Sequence, residues 1–162
     1  MRVLMLGDSH FDRLHLIPWA LSRDTVNLAV GGAIAPEMLD QLGDLDPRGF
    51  DVVMLSIGSN DAATRPLPLE EFLGAIGQVL DRCEGRRVVL ATAPGVAPRS
   101  PFSTRVQEYA AAAAALVRSS GGTVLETSRV LRPLGDRGLL PDGVHLTKSA
   151  HLLYVPALRR AA

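Results

Sequence analysis

Cysteine is almost absent from this sequence: Cys83 stands alone among 162 residues. No internal disulfide can form, the chain needs no oxidising compartment, and Cys83 reads as a small residue near a helix end. Excess charge is absent too. With 17 Lys and Arg against 17 Asp and Glu, the formal net charge is zero. No basic stripe gives a polyanion an electrostatic footing, so nucleic acid is not an expected partner. No apolar stretch approaches the ~20 residues that a membrane-spanning helix requires. Neither a G-x-G-x-x-G nor a Walker loop occurs, which removes the usual phosphate-cradling routes to nucleotides. The first strand-like run begins at Arg2, leaving no room for a signal peptide, so the expectation is a cytoplasmic protein.

What is present is an ordinary globular composition, 47% hydrophobic, at a length that suits one domain over 1–162. No shift in composition marks a boundary and no internal repeat is found. Strand-like and helix-like segments alternate along the chain. Runs rich in Val or Leu, bounded by turn residues, predict strands over 2–6, 25–30, 51–57, 87–91 and 123–125. Helical patterns fall at 38–42, 69–83, 103–119 and 148–158. Pro66 and Pro68 precede the second of these and Gly121-Gly122 closes the third. The alanine tract 110–115 is a favourable helix interior rather than a linker. Such alternation implies a parallel sheet covered by helices on both faces. With right-handed crossovers, the most economical arrangement is a three-layer α/β/α sandwich around a flavodoxin-like five-stranded parallel sheet.

Four strand ends carry chemistry, and ligands of open α/β sheets bind at that edge. The run Val3-Leu4-Met5-Leu6 ends in Gly7-Asp8-Ser9, where a serine hydroxyl can face a substrate; alone, Ser9 is equally a helix cap. The second strand runs into Gly31-Gly32, a turn whose amides can be presented to a ligand. The third ends in Gly58-Ser59-Asn60-Asp61, whose Asn60 amide can point into the cleft or make a local Asx turn; Asp61 reads as a loop or capping residue. Finally, Asp142-Gly143-Val144-His145 lets a carboxylate reach one imidazole nitrogen and fix its tautomer, leaving the other nitrogen free as a base. A hydroxyl, glycine amides, a carboxamide, a carboxylate and an imidazole are the parts needed for nucleophilic acyl transfer. The remaining histidines, His15 and His151, read as surface or packing residues.

Taken together, these blocks resemble the SGNH (GDSL-type) hydrolase superfamily. Gly7-Asp8-Ser9 matches its first block and Asn27-Leu28-Ala29-Val30-Gly31-Gly32-Ala33 resembles its second. Gly58-Ser59-Asn60-Asp61 matches the third, and Asp142-Gly143-Val144-His145 the last. The resemblance implies a three-layer α/β/α fold and a serine esterase or acylhydrolase. Ser9 would then be the nucleophile, His145 the general base and Asp142 the residue that orients it. The oxyanion hole would combine the backbone N–H of Ser9, the backbone N–H of Gly32 (with Gly31 as the alternative) and the side-chain amide of Asn60. No metal or organic cofactor is implied. One departure is His10, where many members carry leucine. Adjacent residues entering a helix diverge, so no catalytic role is expected of it.

Specificity should come from the loops 62–68, 93–102 and 127–141. They hold Arg65, Arg99, Arg129 and Arg132, each either a contact for an anionic group or a solvated surface residue. No large insertion is available for a lid or a deep acyl tunnel. The expected partner is therefore a small-molecule or carbohydrate ester with a short acyl group, such as an acetyl ester of a sugar. Three other readings stay open: an acyltransferase using the same site, a metallophosphoesterase built on Asp8-x-His10, and an inert binding module on the same scaffold. The metal reading has too few ligands for two divalent ions. Oligomeric state is not legible in the sequence.

Overall fold

In β1 (Arg2–Gly7), Val3 and Met5 face one way and Leu4 and Leu6 the other, and all four are buried. A strand apolar on both faces has to be covered on both. β3 (Val52–Ser56) is buried from end to end and pairs in parallel with β1, from Val3 against Val52 to Gly7 against Ser56. β2 (Asp24–Asn27), β4 (Arg87–Ala91) and β5 (Thr123–Leu125) complete a five-stranded parallel sheet in the order β2-β1-β3-β4-β5. The structure is a computed structural model that describes residues 1–16, 21–95 and 100–162, the side chains of His15 and Leu16 excepted.

Helices cover the two faces. On one, Leu4, Leu6, Val53 and Leu55 pack against α2 (Glu37–Leu42), α4 (Leu69–Arg82) and α5 (Ser103–Ser119). α4 presents Phe72, Ala75, Ile76 and Val79, a spacing that keeps one helix face on the sheet. On the other face, Val3, Met5, Val52, Met54 and Val89 meet Phe11 of α1 (Ser9–Asp12) and Leu131 of α6 (Thr127–Leu131). Ala150, Tyr154 and Leu158 of α7 (Lys148–Ala161) complete that layer. Each large apolar side chain buried this way contributes about 1.5–3 kcal/mol. No helix among the described residues is long and apolar enough to cross a membrane.

The predicted strands and helices are all found, with two informative differences. β2 stops at Asn27 rather than at residue 30. Asn27 bends the chain there: its Oδ1 accepts from the Ala29 N–H at 3.1 Å and its Nδ2 donates to the Phe11 carbonyl at 2.8 Å. The segment still follows β1, because the N–H groups of Leu28 and Val30 donate to the carbonyls of Met5 and Gly7. The last helix, expected to end at 158, runs on to Ala161 past an internal Pro156. Proline removes the bond to the carbonyl four residues earlier. That carbonyl belongs to Leu152, which is 75% exposed, so water can satisfy it.

All five strands point the same way, so their carboxyl ends share one edge. The closest approach at that edge is between Gly7 and β3. Gly7 has φ +137°, and a Cβ built on it would lie 1.9 Å from the Ser56 carbonyl oxygen. No side chain fits, and the following residue, Asp8, donates its N–H to that same oxygen at 2.9 Å. Gly7→Ala is therefore expected to destabilise the fold by more than about 2 kcal/mol. Chemical denaturation checks this: a midpoint equal to that of the parent would contradict the close packing.

Candidate active site

Ser9 opens α1 directly after β1. Its predecessor Asp8 caps the helix by accepting the His10 N–H at 3.0 Å. As the first helical residue, Ser9 has an N–H that the helix itself cannot bond. Its Oγ lies 3.0 Å from His145 Nε2. His145 arrives on a loop pinned at its base, where Leu139 pairs with Leu146 and the Leu140 N–H donates to the His145 carbonyl at 2.7 Å. At the loop's tip Asp142 Oδ1 accepts the N–H groups of Val144 and His145, at 2.9 and 3.0 Å. Its Oδ2 lies 2.7 Å from His145 Nδ1.

Protonation states follow from these contacts. The hydrogen bond from the His145 ring, joined by the two backbone N–H donors, holds the Asp142 carboxyl well below the usual carboxylate range. An ionised carboxylate only accepts, so His145 Nδ1 carries the hydrogen. A neutral ring bonded in this way presents its Nε2 lone pair toward Ser9, where it can accept the serine hydroxyl hydrogen. Ser9 thus faces an imidazole whose other nitrogen is held by a carboxylate. Ser9 and His145 are only partly buried, and Asp142, Gly31 and Gly32 are exposed, so the arrangement opens to solvent rather than into a tunnel.

The glycine turn and the Asn60 block are stitched to one another. Gly31 and Gly32 occupy the middle of a turn closed by the Ala33 N–H on the Val30 carbonyl, at 3.1 Å. Gly32 has φ +82°, as the third residue of a type II turn requires. Among the described residues, nothing accepts the N–H of Gly32 or of Ser9. Asn60, in α3 (Ser59–Ala62), donates one Nδ2 hydrogen to the Ala33 carbonyl at 2.9 Å. Its Oδ1 accepts from Thr64 Oγ1 at 3.1 Å, which turns the amide so that its second N–H remains for a ligand. The structure thus links Asp142, His145 and Ser9 in one chain of contacts, and among the described residues it leaves one Asn60 amide hydrogen and the Gly32 N–H without an acceptor.

Three residues have partners that the sequence reading did not name. Asp61, expected as a loop or capping residue, lies in α3 with no exposed surface and accepts the Ala35 N–H at 2.7 Å. Burial pushes its carboxyl up to about 6. Arg65 grips both oxygens of Glu37, at 2.7 and 2.9 Å, and donates to the Gly32 carbonyl at 3.2 Å. Glu37 also accepts the Ile34 N–H, so this pair braces the glycine turn and is not a free anion contact. Arg129 pairs with Glu126, Arg132 is exposed, and Arg99 lies outside the described residues. His10 turns away from Ser9 into the interior, as expected of adjacent helix residues, yet its ring centroid lies 6.1 Å from that of His145. The one sequence signal was the unusual histidine at a helix position that turns inward. Its Nδ1 lies 3.2 Å from Asp8 Oδ1, so the supposed metal-ligating pair is committed to itself.

The sequence matches the model of the GDSL-like lipase/acylhydrolase family over residues 7–153, a span that takes in all four strand-end blocks. The chain belongs to that family. As a GDSL-type protein it is a serine ester hydrolase, built on a five-stranded parallel sheet with helices on both sides. Comparison with curated protein sequences found no significant match. Solved structures share the fold at low identity. A lipase/acylhydrolase from Enterococcus faecalis is 20% identical with a TM-score of 0.81, over 99% of this chain and 94% of that one. A GDSL-like lipase from Bacteroides thetaiotaomicron is 16% identical with a TM-score of 0.82, over 99% and 86%. An acetylxylan esterase from Geobacillus stearothermophilus is 17% identical with a TM-score of 0.78, over 99% and 93%.

The raised Asp61 pKa has a testable consequence for this GDSL-type fold. The folded state keeps a proton there that the unfolded chain releases, so stability falls as pH rises from about 4 through about 6. A shift of roughly two units corresponds to on the order of 3 kcal/mol. Asp61→Asn is expected to flatten this part of the stability–pH curve, read as melting temperature from pH 4 to 7. An unchanged slope in the variant would contradict the assignment.

Proposed function

We propose that the protein hydrolyses short acyl esters, such as acetyl esters of a sugar or small metabolite, through an acyl-enzyme on Ser9. The observation that carries this reading is the unbroken chain Asp142–His145–Ser9, with contacts of 2.7 and 3.0 Å. His145 Nε2 takes the hydroxyl proton as Ser9 Oγ attacks the ester carbonyl carbon. The carbonyl oxygen becomes an oxyanion, met by the N–H groups of Ser9 and Gly32 and the free amide hydrogen of Asn60. Collapse breaks the bond to the alcohol, which leaves with the proton that His145 returns. Water then attacks the acyl carbon, gives its proton to Nε2, and the acid departs as Ser9 is restored.

Preference for a short acyl group rests on the exposure of the glycine turn and the partial exposure of Ser9 and His145. A long chain would gain little burial at so open a site, and each methylene left in water forgoes about 0.8 kcal/mol. The acetylxylan esterase of Geobacillus stearothermophilus has the same fold, which makes acetylated sugars a sensible first substrate class.

Ser9→Ala is expected to abolish ester cleavage while leaving circular dichroism and melting temperature near those of the parent. A variant with parental turnover refutes the nucleophile. On a panel of esters, acetyl and butyryl substrates should give higher kcat/KM than octanoyl or longer ones; the reverse order would overturn the acyl preference.

Asn60→Ala should lower kcat by about 10²–10³ with a smaller change in KM, because its bond strengthens as the oxyanion forms. An effect confined to KM would count against that role.

A further inference from the structure

His10 is one residue beyond Ser9, yet it faces inward: only 1% of its side chain is exposed. Its Nδ1 lies 3.2 Å from Asp8 Oδ1, and the same oxygen accepts the His10 backbone N–H at 3.0 Å. Its Nε2 lies 3.3 Å from the Val144 carbonyl oxygen. That carbonyl belongs to the peptide bond leading into His145, and the Val144 N–H is one of the two donors on Asp142. A peptide carbonyl and a carboxylate are both acceptors. For both contacts to be hydrogen bonds, both ring nitrogens must carry a hydrogen.

We propose that His10 is a positioning residue, a buried imidazolium that Asp8 holds in place and that tethers the loop carrying Asp142 and His145 through the Val144 carbonyl. The tether fixes the peptide between the base and the carboxylate that orients it. The proposal rests on the reading of His145 as the general base, and it adds a residue that acts through another and touches no substrate.

The surroundings are consistent with this charge state. Burial, the largest influence on the ring, disfavours the charged form; the Asp8 charge and hydrogen bond, with the Val144 carbonyl, outweigh it and raise the pKa above its ordinary value. Arg13 on the same segment opposes them. From the other packed elements, the His145 ring faces His10 and His151 of α7 feels its charge, while Asp61 and Tyr154 feel the Asp8 charge. A raised histidine pKa stabilises the fold fully below about 6.5, and that stabilisation is lost as pH rises through the raised value. On the alkaline side, therefore, the loop loses its tether.

The test compares the parent with His10→Gln and His10→Leu. The parent should show an alkaline fall in kcat. His10→Gln, whose amide can donate to the carbonyl without titrating, should retain within about tenfold of the parental kcat and show no such fall. His10→Leu, which lacks a donor, should lose roughly 10–100-fold in kcat with little change in KM. A packing role alone would lower the melting temperature and leave the pH profile in place. Nitrogen NMR of the parent supplies a readout free of both variant folding and activity: both His10 ring nitrogens should report as protonated at pH 6.5, where a ring with a raised pKa is mostly charged. A neutral ring at that pH, or the same alkaline limb in parent and His10→Gln, overturns the proposal. If instead ester cleavage survives Ser9→Ala, the catalytic reading fails, whatever the His10 nitrogens report.

Discussion

The hydrogen bond between Ser9 and His145 joins two loops that lie 136 residues apart in the chain, at a distance of 3.0 Å. Neither loop has the means to form that contact alone. It exists because β1 is a central strand of a parallel sheet, so its carboxyl end opens on the same edge to which the loop before α7 returns. The packing of Gly7 against the Ser56 carbonyl sets where β1 ends. The Leu139–Leu146 pairing sets where the loop tip hangs. Displacing either by an ångström would break the Ser9–His145 contact on which the proposed chemistry depends, and losses of about 10²-fold follow from errors of that size.

Beneath the reacting groups runs a layer of buried polar side chains. Asp8 and His10 satisfy one another under the serine, and Asp61 receives the Ala35 N–H under the glycine turn. Asp61 Oδ2 has no hydrogen-bond partner among the described residues. Apolar residues of equal volume in such places are often neutral or stabilising. What the polar groups supply is fixed backbone: Asp8 holds the His10 N–H, His10 approaches the Val144 carbonyl and Asp61 holds the Ala35 N–H. Asn60, Asp61 and Arg65 come from one stretch of chain, and all three bond to the segment 32–35. The site is thereby assembled as two braced halves, one around the glycine turn and one around the serine.

Much of this was legible in the residues. Alternating runs of Val and Leu with helical patterns implied the parallel sheet, and β4, β5 and α5 fall on their expected bounds. Ser9, Asn60, Asp142 and His145 stood out because each follows a buried run or a tight turn, where a polar residue has a position to hold. What escaped was long-range pairing. Nothing local marks Asp61 as buried, since its partner Ala35 belongs to another loop. Arg65 looks like any surface arginine until Glu37 is seen across from it. His10 does diverge from Ser9, one buried and the other partly exposed, but its approach to the Val144 carbonyl 134 residues away has no local trace. Asn27 ended its strand early through side-chain bonds that pattern reading ignores.

In the proposed reaction, the Ser9 hydroxyl is made nucleophilic by the His145 imidazole. The most direct measurement is labelling by a serine-directed fluorophosphonate, followed by peptide mapping, in the parent and in His145→Ala. A single adduct on Ser9, formed at least about 100-fold more slowly in the variant, is the predicted result. An adduct on another residue, or labelling of Ser9 at the same rate without His145, would contradict it.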